Sequence, residues 1–276
     1  MKRLLACLIL LAASAALPAA AQTRRVVQEY QLWAELQAEL ALKNGDYLLV
    51  SLHGENVPAY NNSTYYRPDR LLGFDQRAAG VAYEHFWNDH WSGGARLQVA
   101  SASGFQYAMP EVLLRHRSPL GPLTFGQRLS ASRFAPFGNG GRVEGEGRNY
   151  ASLRVDLEKL LPLGTGGVAL RPRLSYEATA HVRFQKDPYA GDERTIQFTN
   201  LRGEVGCRVG DHFDFTPWFA YATAYYFALG SYSPLSGAPA DGGRLNLVTP
   251  VVGLDARFTL FAGKTVFERR QLPTQH

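Results

Sequence analysis

Beyond its first residues the chain has no apolar run near the ~18 residues that a membrane-spanning helix requires. Membrane passage by a helix is therefore excluded for the rest of the sequence. A spanning chain of this kind must cross as a closed barrel, which satisfies every backbone group between strands. Cysteine is scarce: Cys7 lies in the N-terminal apolar segment, which leaves Cys207. A single thiol excludes an internal disulfide, and no Cys/His cluster with zinc spacing exists. Cys207 reads as a small core or lipid-facing residue. Long basic runs are also missing. The formal charge of +5 falls to +3 once Lys2 and Arg3 are removed with a leader, too mild an excess for nucleic acid. Methionine is rare, whereas Tyr and Phe are abundant, which suits a strand-rich exported chain.

The N-terminus reads as a cleaved signal peptide, residues 1–21, which leaves a single barrel domain over 22–276. Lys2 and Arg3 form a basic n-region, residues 4–17 an apolar h-region, and Ala19, Ala20 and Ala21 a small-residue cleavage site before Gln22. Leu4-Leu5-Ala6-Cys7 superficially resembles a lipoprotein box, but it precedes any complete h-region. Sec-type export to a bacterial outer membrane is the expected route.

What fills the remainder is alternation. Over residues 148–157 one face carries Arg148, Tyr150, Ser152, Arg154 and Asp156, and the other Asn149, Ala151, Leu153, Val155 and Leu157. A two-residue period marks a strand with one polar and one apolar face. The pattern recurs about ten times. Its first instance, 29–43, opposes Leu32, Leu36 and Leu40 to Glu35, Gln37 and Glu39. A helix competes there, because Leu, Ala, Gln and Glu favour helices, but unbroken alternation favours a strand. Asn44-Gly45-Asp46 then signals a hairpin. Further expected strands end near His85, begin near Trp91, follow a Gly104 break, and cover 123–130, 170–177, 199–205, 213–226 and 244–258. Turns are expected at 87–89, 118–122, 160–167 and 210–211. Longer loops are expected at 56–70, 134–147, 178–193 and 231–243. This alternation of short and long connections is the habit of outer-membrane barrels. Eleven strands are countable, and 258–267 could supply a twelfth around Ala262-Gly263-Lys264. Bacterial barrels usually have an even count, so the expectation is an all-β, antiparallel up-and-down transmembrane β-barrel of 10–12 strands.

Alternation alone does not orient the faces; a soluble lipocalin-like barrel or a sandwich shows the same period. An arginine on a lipid face at the midplane costs roughly 2–4 kcal/mol, so mid-strand arginines belong inside. Aromatics near strand ends (Phe86, Trp87, Trp91; Tyr225, Tyr226, Phe227) fit interfacial girdles. The expected lumen-lining set is Arg96, Glu111, Arg115, Arg128, Arg154, Asp156, Arg171, Arg173, Glu177, Arg202 and Glu204. Two readings follow. Charge rings select ions, which suits a narrow pore for small polar or anionic solutes. Alternatively, arginines and carboxylates pair to plug the lumen of a structural or partner-binding barrel.

Other candidates are weaker. His85, Asp89 and His90 could ligate a metal, but a tight turn accounts for them. Gly138-Asn139-Gly140-Gly141 lacks the Lys-Ser/Thr of a phosphate loop. Asn61-Asn62-Ser63-Thr64 matches a glycosylation acceptor that a bacterial export route discounts. Ser51, His53 and Glu55 share one strand face, and Ser130 and Ser132 another; a membrane-embedded lipid hydrolase would need such a hydroxyl near an oriented histidine. No catalytic residue, cofactor or metal is assigned, and the expected partner is outer-membrane lipid.

Several motifs carry a resemblance: Glu111-x-x-x-Arg115-His116-Arg117, Gln127-Arg128-Leu129 through Arg133-Phe134, Tyr150-x-x-x-Arg154, Leu174-Ser175-Tyr176-Glu177 and Thr199-Asn200-Leu201-Arg202. Together these resemble domain-of-unknown-function family 2490, an uncharacterised bacterial family common in Bacteroidetes. The resemblance covers nearly the whole mature chain. It implies an outer-membrane barrel and no assigned activity. Family members often carry a glutamate in the strand-six arginine motif, where this chain reads Ser130-Ala131-Ser132.

Overall fold

The computed structural model describes residues 24–57, 73–102, 105–137, 147–164, 167–183, 195–228, 231–232, 239–240 and 243–262. The expected signal segment, the Asn61 acceptor and the Gly138–Gly141 run lie outside these residues. The described elements are all strands: β1 (Arg24–Val27), β2 (Gln31–Ala41), β3 (Tyr47–Asn56), β4 (Gln76–Phe86), β5 (Trp91–Ala102), β6 (Phe105–Leu120), β7 (Leu123–Phe137), β8 (Arg148–Glu158), β9 (Leu161–Leu163), β10 (Val168–Val182), β11 (Ile196–Val209), β12 (Phe213–Ala228), β13 (Ser231–Tyr232), β14 (Pro239–Ala240) and β15 (Gly243–Phe261). Eleven of them form a closed, mostly antiparallel barrel. β9 only flanks β10, and β13 pairs with β14 alone.

Closure takes a form that the alternation did not announce. β15 pairs in parallel with β2, from Val251↔Gln31 to Phe261↔Ala41. β1 continues the same seam, from Arg24↔Leu245 to Val27↔Val248. The shift between the two registers is absorbed at 28–30, where the Gln28 N–H donates to Val248 O. An odd count forces this: the first and last strands of an eleven-strand meander point the same way, so the seam between them must be parallel. The expected all-β, up-and-down barrel of 10–12 strands holds, with this one parallel pairing at its seam. β15 itself runs through Phe258–Phe261 onto β2, so no twelfth strand intervenes at the seam.

Boundaries moved where pairing carried strands past turn-like residues. Leu120 pairs with Leu123, which confines the 118–122 turn to Gly121 (φ 60°) and Pro122. β7 reaches Phe137 and β10 reaches Val182, into stretches expected to be loops. The first strand holds as β2 despite its helix-forming residues, because ladders on both sides outweigh propensity.

The two faces are inverted relative to a water-soluble protein. In β2, Glu35 is 1% exposed and its neighbour Leu36 is 62% exposed. The same inversion recurs at Arg154 and Leu153, and at Arg202 and Leu201. The apolar side chains thus form the outer wall and the charged ones the core.

The ends of the barrel differ. The connections at 42–46, 87–90, 121–122 and 210–212 are tight and share one end, the turn end; the strand ends Asn56 and Gln76, Phe137 and Arg148, Val182 and Ile196, and Ala228 and Gly243 lie at the other, the loop end. At the turn end Gly45 (φ 85°) lets the β2–β3 hairpin reverse. Asp46, which follows it, accepts hydrogen bonds from Tyr83 Oη (2.5 Å) and the Phe86 N–H (3.2 Å) and contacts His85 Nδ1 (2.9 Å). That carboxylate ties the hairpin to β4. Phe86, expected in the outer girdle, packs instead against the Ala41–Tyr47 cluster, its ring 5.6 Å from that of Tyr47. Trp87 and Trp91 are exposed.

Candidate functional site

The interior divides into two storeys. Toward the turn end it is filled by long charged side chains. Arg173 is the hub: it donates through Nη1 to Glu204 (2.7 Å) and through Nε to Glu158 (2.9 Å), with Asp156 at 3.8 Å. Arg202 donates to Glu204 (2.7 Å) and Asp255 (2.6 Å), and its guanidinium lies 4.0 Å over the Trp218 ring. Trp218 in turn donates its indole N–H to Asp255 at 2.9 Å. Across the seam Arg257 reaches Gln37 (2.6 Å) and Glu39 (3.2 Å). Arg171 sits 3.8 Å from Glu158. Each of these arginines is buried. A buried charge persists only when paired and hydrogen-bonded, and carboxylates from β2, β8, β11 and β15 supply the pairing.

Strand register produces one costly arrangement. Arg128 stands directly opposite both Arg115 and Arg154, so three guanidiniums line up across β6, β7 and β8. Like charges in facing positions repel. Carboxylates from outside the trio offset this: Arg115 bonds Glu84, itself held by Ser92 Oγ at 2.6 Å, and Arg128 bonds Glu177 at 2.8 Å. Arg154 reaches Ser175 Oγ at 3.2 Å and faces Glu177 across the ladder.

Toward the loop end the packing gives way to a cavity of about 850 Å³. Its floor is Arg128 with Glu177, and Arg96 and Glu111 stand in its wall as facing residues of β5 and β6. Three aromatic groups line it. Trp33 meets His53 edge-on at 5.5 Å, Tyr107 lies 4.8 Å from Phe134, and Tyr150 lies 5.9 Å from Phe198. The expected lumen residues therefore split. Arg115, Arg154, Asp156, Arg171, Arg173, Arg202 and Glu204 sit in the packed storey; Arg96, Glu111, Arg128 and Glu177 border the cavity.

Trp33 and Trp218 were absent from the expected set, although parity could have found them. Trp33 shares a face with Glu35 and Gln37, and Trp218 with Asp214 and Thr216.

The weaker candidates take internal partners. His53 places Nε2 3.0 Å from Glu55 and Nδ1 3.5 Å from Glu35. Both ring nitrogens thus face carboxylates rather than the Ser51 hydroxyl. His85 turns to Asp46, and His90 Nδ1 lies 2.9 Å from the Arg117 carbonyl. Among the described residues no three His, Cys, Asp or Glu side chains converge on a metal-sized site. Cys207 is a half-buried free thiol 3.7 Å from the Val205 carbonyl.

Comparison with protein-family models, with curated proteins and with solved structures finds no match.

Proposed function

We propose that this chain is an outer-membrane barrel, stoppered toward its tight turns, that receives a small solute in the cup at its loop end. The observation that carries the membrane reading is the inverted polarity, with Glu35 at 1% and Leu36 at 62% exposure side by side. In water such a wall would leave a very large apolar surface uncovered; in lipid it is the ordinary outer band of a β-barrel. Short turns then face the periplasm and the loops and cup face outward.

The buried Arg173–Glu204–Arg202–Asp255 network supports a stopper over a channel. Its side chains are inaccessible to water, and each charge is spent on a neighbour rather than offered to a passing ion. A second reading, a narrow anion pore, draws on the Arg115–Arg128–Arg154 row. Planar-bilayer recording separates the two. The stoppered barrel gives no stepwise current in potassium chloride, and anion-selective steps would establish the pore instead. Heat-modifiable migration in detergent tests the barrel's membrane character; a soluble fraction with no shift on boiling overturns it.

A further inference from the structure

Resting on the reading of the loop-end cavity as a binding cup, we propose that its ligand is a neutral carbohydrate: a glycan short enough for a space of about 850 Å³. Three features of the lining converge on that chemistry.

The first is charge balance. Arg96 faces Glu111 across the ladder, Arg128 is bonded to Glu177, and His53 lies between Glu35 and Glu55. A strongly anionic ligand would meet Glu55, Glu111 and Glu177, and a cationic one would meet Arg96, Arg128 and Arg148. Either would pay for desolvating a like charge. A neutral ligand meets neither penalty.

The second is the remaining polar lining. It is dominated by amides and hydroxyls, among them Gln76, Gln98, Ser132, Ser152, Thr179 and Asn200. Such groups both donate and accept hydrogen bonds, as sugar hydroxyls do. An acyl chain in the same space would strip water from them and return nothing, and an unpartnered buried polar group is costly.

The third is the aromatic groups. Trp33 on β2, the Tyr107–Phe134 pair on β6 and β7, and the Tyr150–Phe198 pair on β8 and β11 stand at separate stations around the ring. The C–H face of a pyranose is apolar and its rim is polar. Aromatic walls interleaved with amides match that division, since Tyr and Trp join an apolar body to a polar tip.

The test uses the full-length barrel purified in detergent. It is applied to a printed array of neutral oligosaccharides, and hits are titrated by tryptophan fluorescence beside glucose 6-phosphate, adenosine and lauric acid. At least one neutral saccharide is expected to bind, with glucose 6-phosphate no tighter than glucose. Its affinity should fall at least tenfold in Tyr150→Ala and in Asn200→Ala and be largely kept in Tyr150→Phe, each variant first shown to retain the heat-modifiable shift. Saccharide binding unchanged in both alanine variants places the sugar elsewhere and overturns the proposal. Lauric acid, adenosine or the phosphorylated sugar binding in the cup while no neutral saccharide does overturns the ligand class and leaves the cup standing. A correctly folded barrel that binds no probe overturns both.

Discussion

The indole of Trp218 packs against the bare backbone of Gly253: a Cβ on Gly253 would sit 2.1 Å from the ring. The two residues face each other on β12 and β15, and Gly253 in turn pairs with Trp33 across the parallel seam. Only a residue without a side chain leaves room for the ring beneath the Arg202 guanidinium. Gly253→Ala should therefore push Trp218 off both Arg202 and Asp255, at a cost of about 1–3 kcal/mol. The temperature of the gel shift on heating should fall, and tryptophan emission should move to the red. An unchanged shift temperature would mean that the ring relocates freely.

The stopper can be weakened from its centre. Glu204 accepts from both Arg173 and Arg202, so Glu204→Ala leaves two buried guanidiniums short of a partner. Breaking a buried pair in this way costs about 3–5 kcal/mol. Denaturant titration in detergent should show that loss, and the variant should leak current where the native barrel does not. The double change Arg202→Leu with Glu204→Leu should cost less than Glu204→Ala, because it removes one charge of each sign and the residues left short of a partner, Arg173 and Asp255, are themselves opposite in charge. Equal losses in the two variants would count against the network as drawn.

Leu153 projects from the outer wall of β8, 53% exposed, between the inward Ser152 and Arg154. Leu153→Arg should destabilise the barrel in lipid by roughly 2–4 kcal/mol if the site lies near the bilayer midplane, and Leu153→Ala by much less. Unfolding midpoints in liposomes measure both. On a water-exposed surface the arginine would be harmless, so a neutral result would argue that the wall does not meet lipid.

Asp46 should make the turn end sensitive to acid. Burial alone would push its carboxyl up, but hydrogen bonds from Tyr83, His85 and the Phe86 N–H outweigh burial and hold it below its ordinary value. Its contribution is therefore complete above the unfolded carboxyl value near 3.9 and is lost as the pH falls through the lowered folded value. The difference in melting temperature between the native chain and Asp46→Asn should be largest at neutral pH and shrink in acid. Tyr83 does not titrate in this range. A difference that stays constant down to pH 2 would remove Asp46 from the account.

With eleven strands, residue 24 lies at the loop end and residue 262 at the turn end. In a Cys207→Ser background, a cysteine placed at Arg24 should react with an impermeant maleimide on intact cells. One placed at Ala262 should react only after the envelope is opened. Labelling of both from outside would contradict the odd count or the proposed orientation.

Much of this architecture is local and could be read from residue order. Strand existence, the facing of Leu153 against Arg154, and the tight turn at Gly45 all follow from alternation and turn chemistry. The parallel seam does not, because the alternation of β2 is the same whichever strand lies beside it. Nor could the arginine row be read, since a two-residue change of register would move Arg128 away from Arg115 and Arg154 without altering either sequence pattern. The cup was invisible for a related reason. Its aromatic members, such as Tyr107 and Tyr150, are ordinary inward residues of separate strands, and only ring closure brings them to one level.

The seam also governs when this protein becomes itself. Gln37 and Arg257, bonded across it, are separated by 220 positions. No part of the ring can be sealed before nearly the whole chain has been synthesised, so an interrupted chain carries two raw strand edges and an uncovered ladder of backbone donors and acceptors. Such edges recruit other strands indiscriminately, and contacts this remote in sequence form slowly. Until Phe261 meets Ala41 the unclosed chain thus depends on being kept apart from its own copies. A truncation of even the last strand should yield an aggregate rather than a smaller barrel.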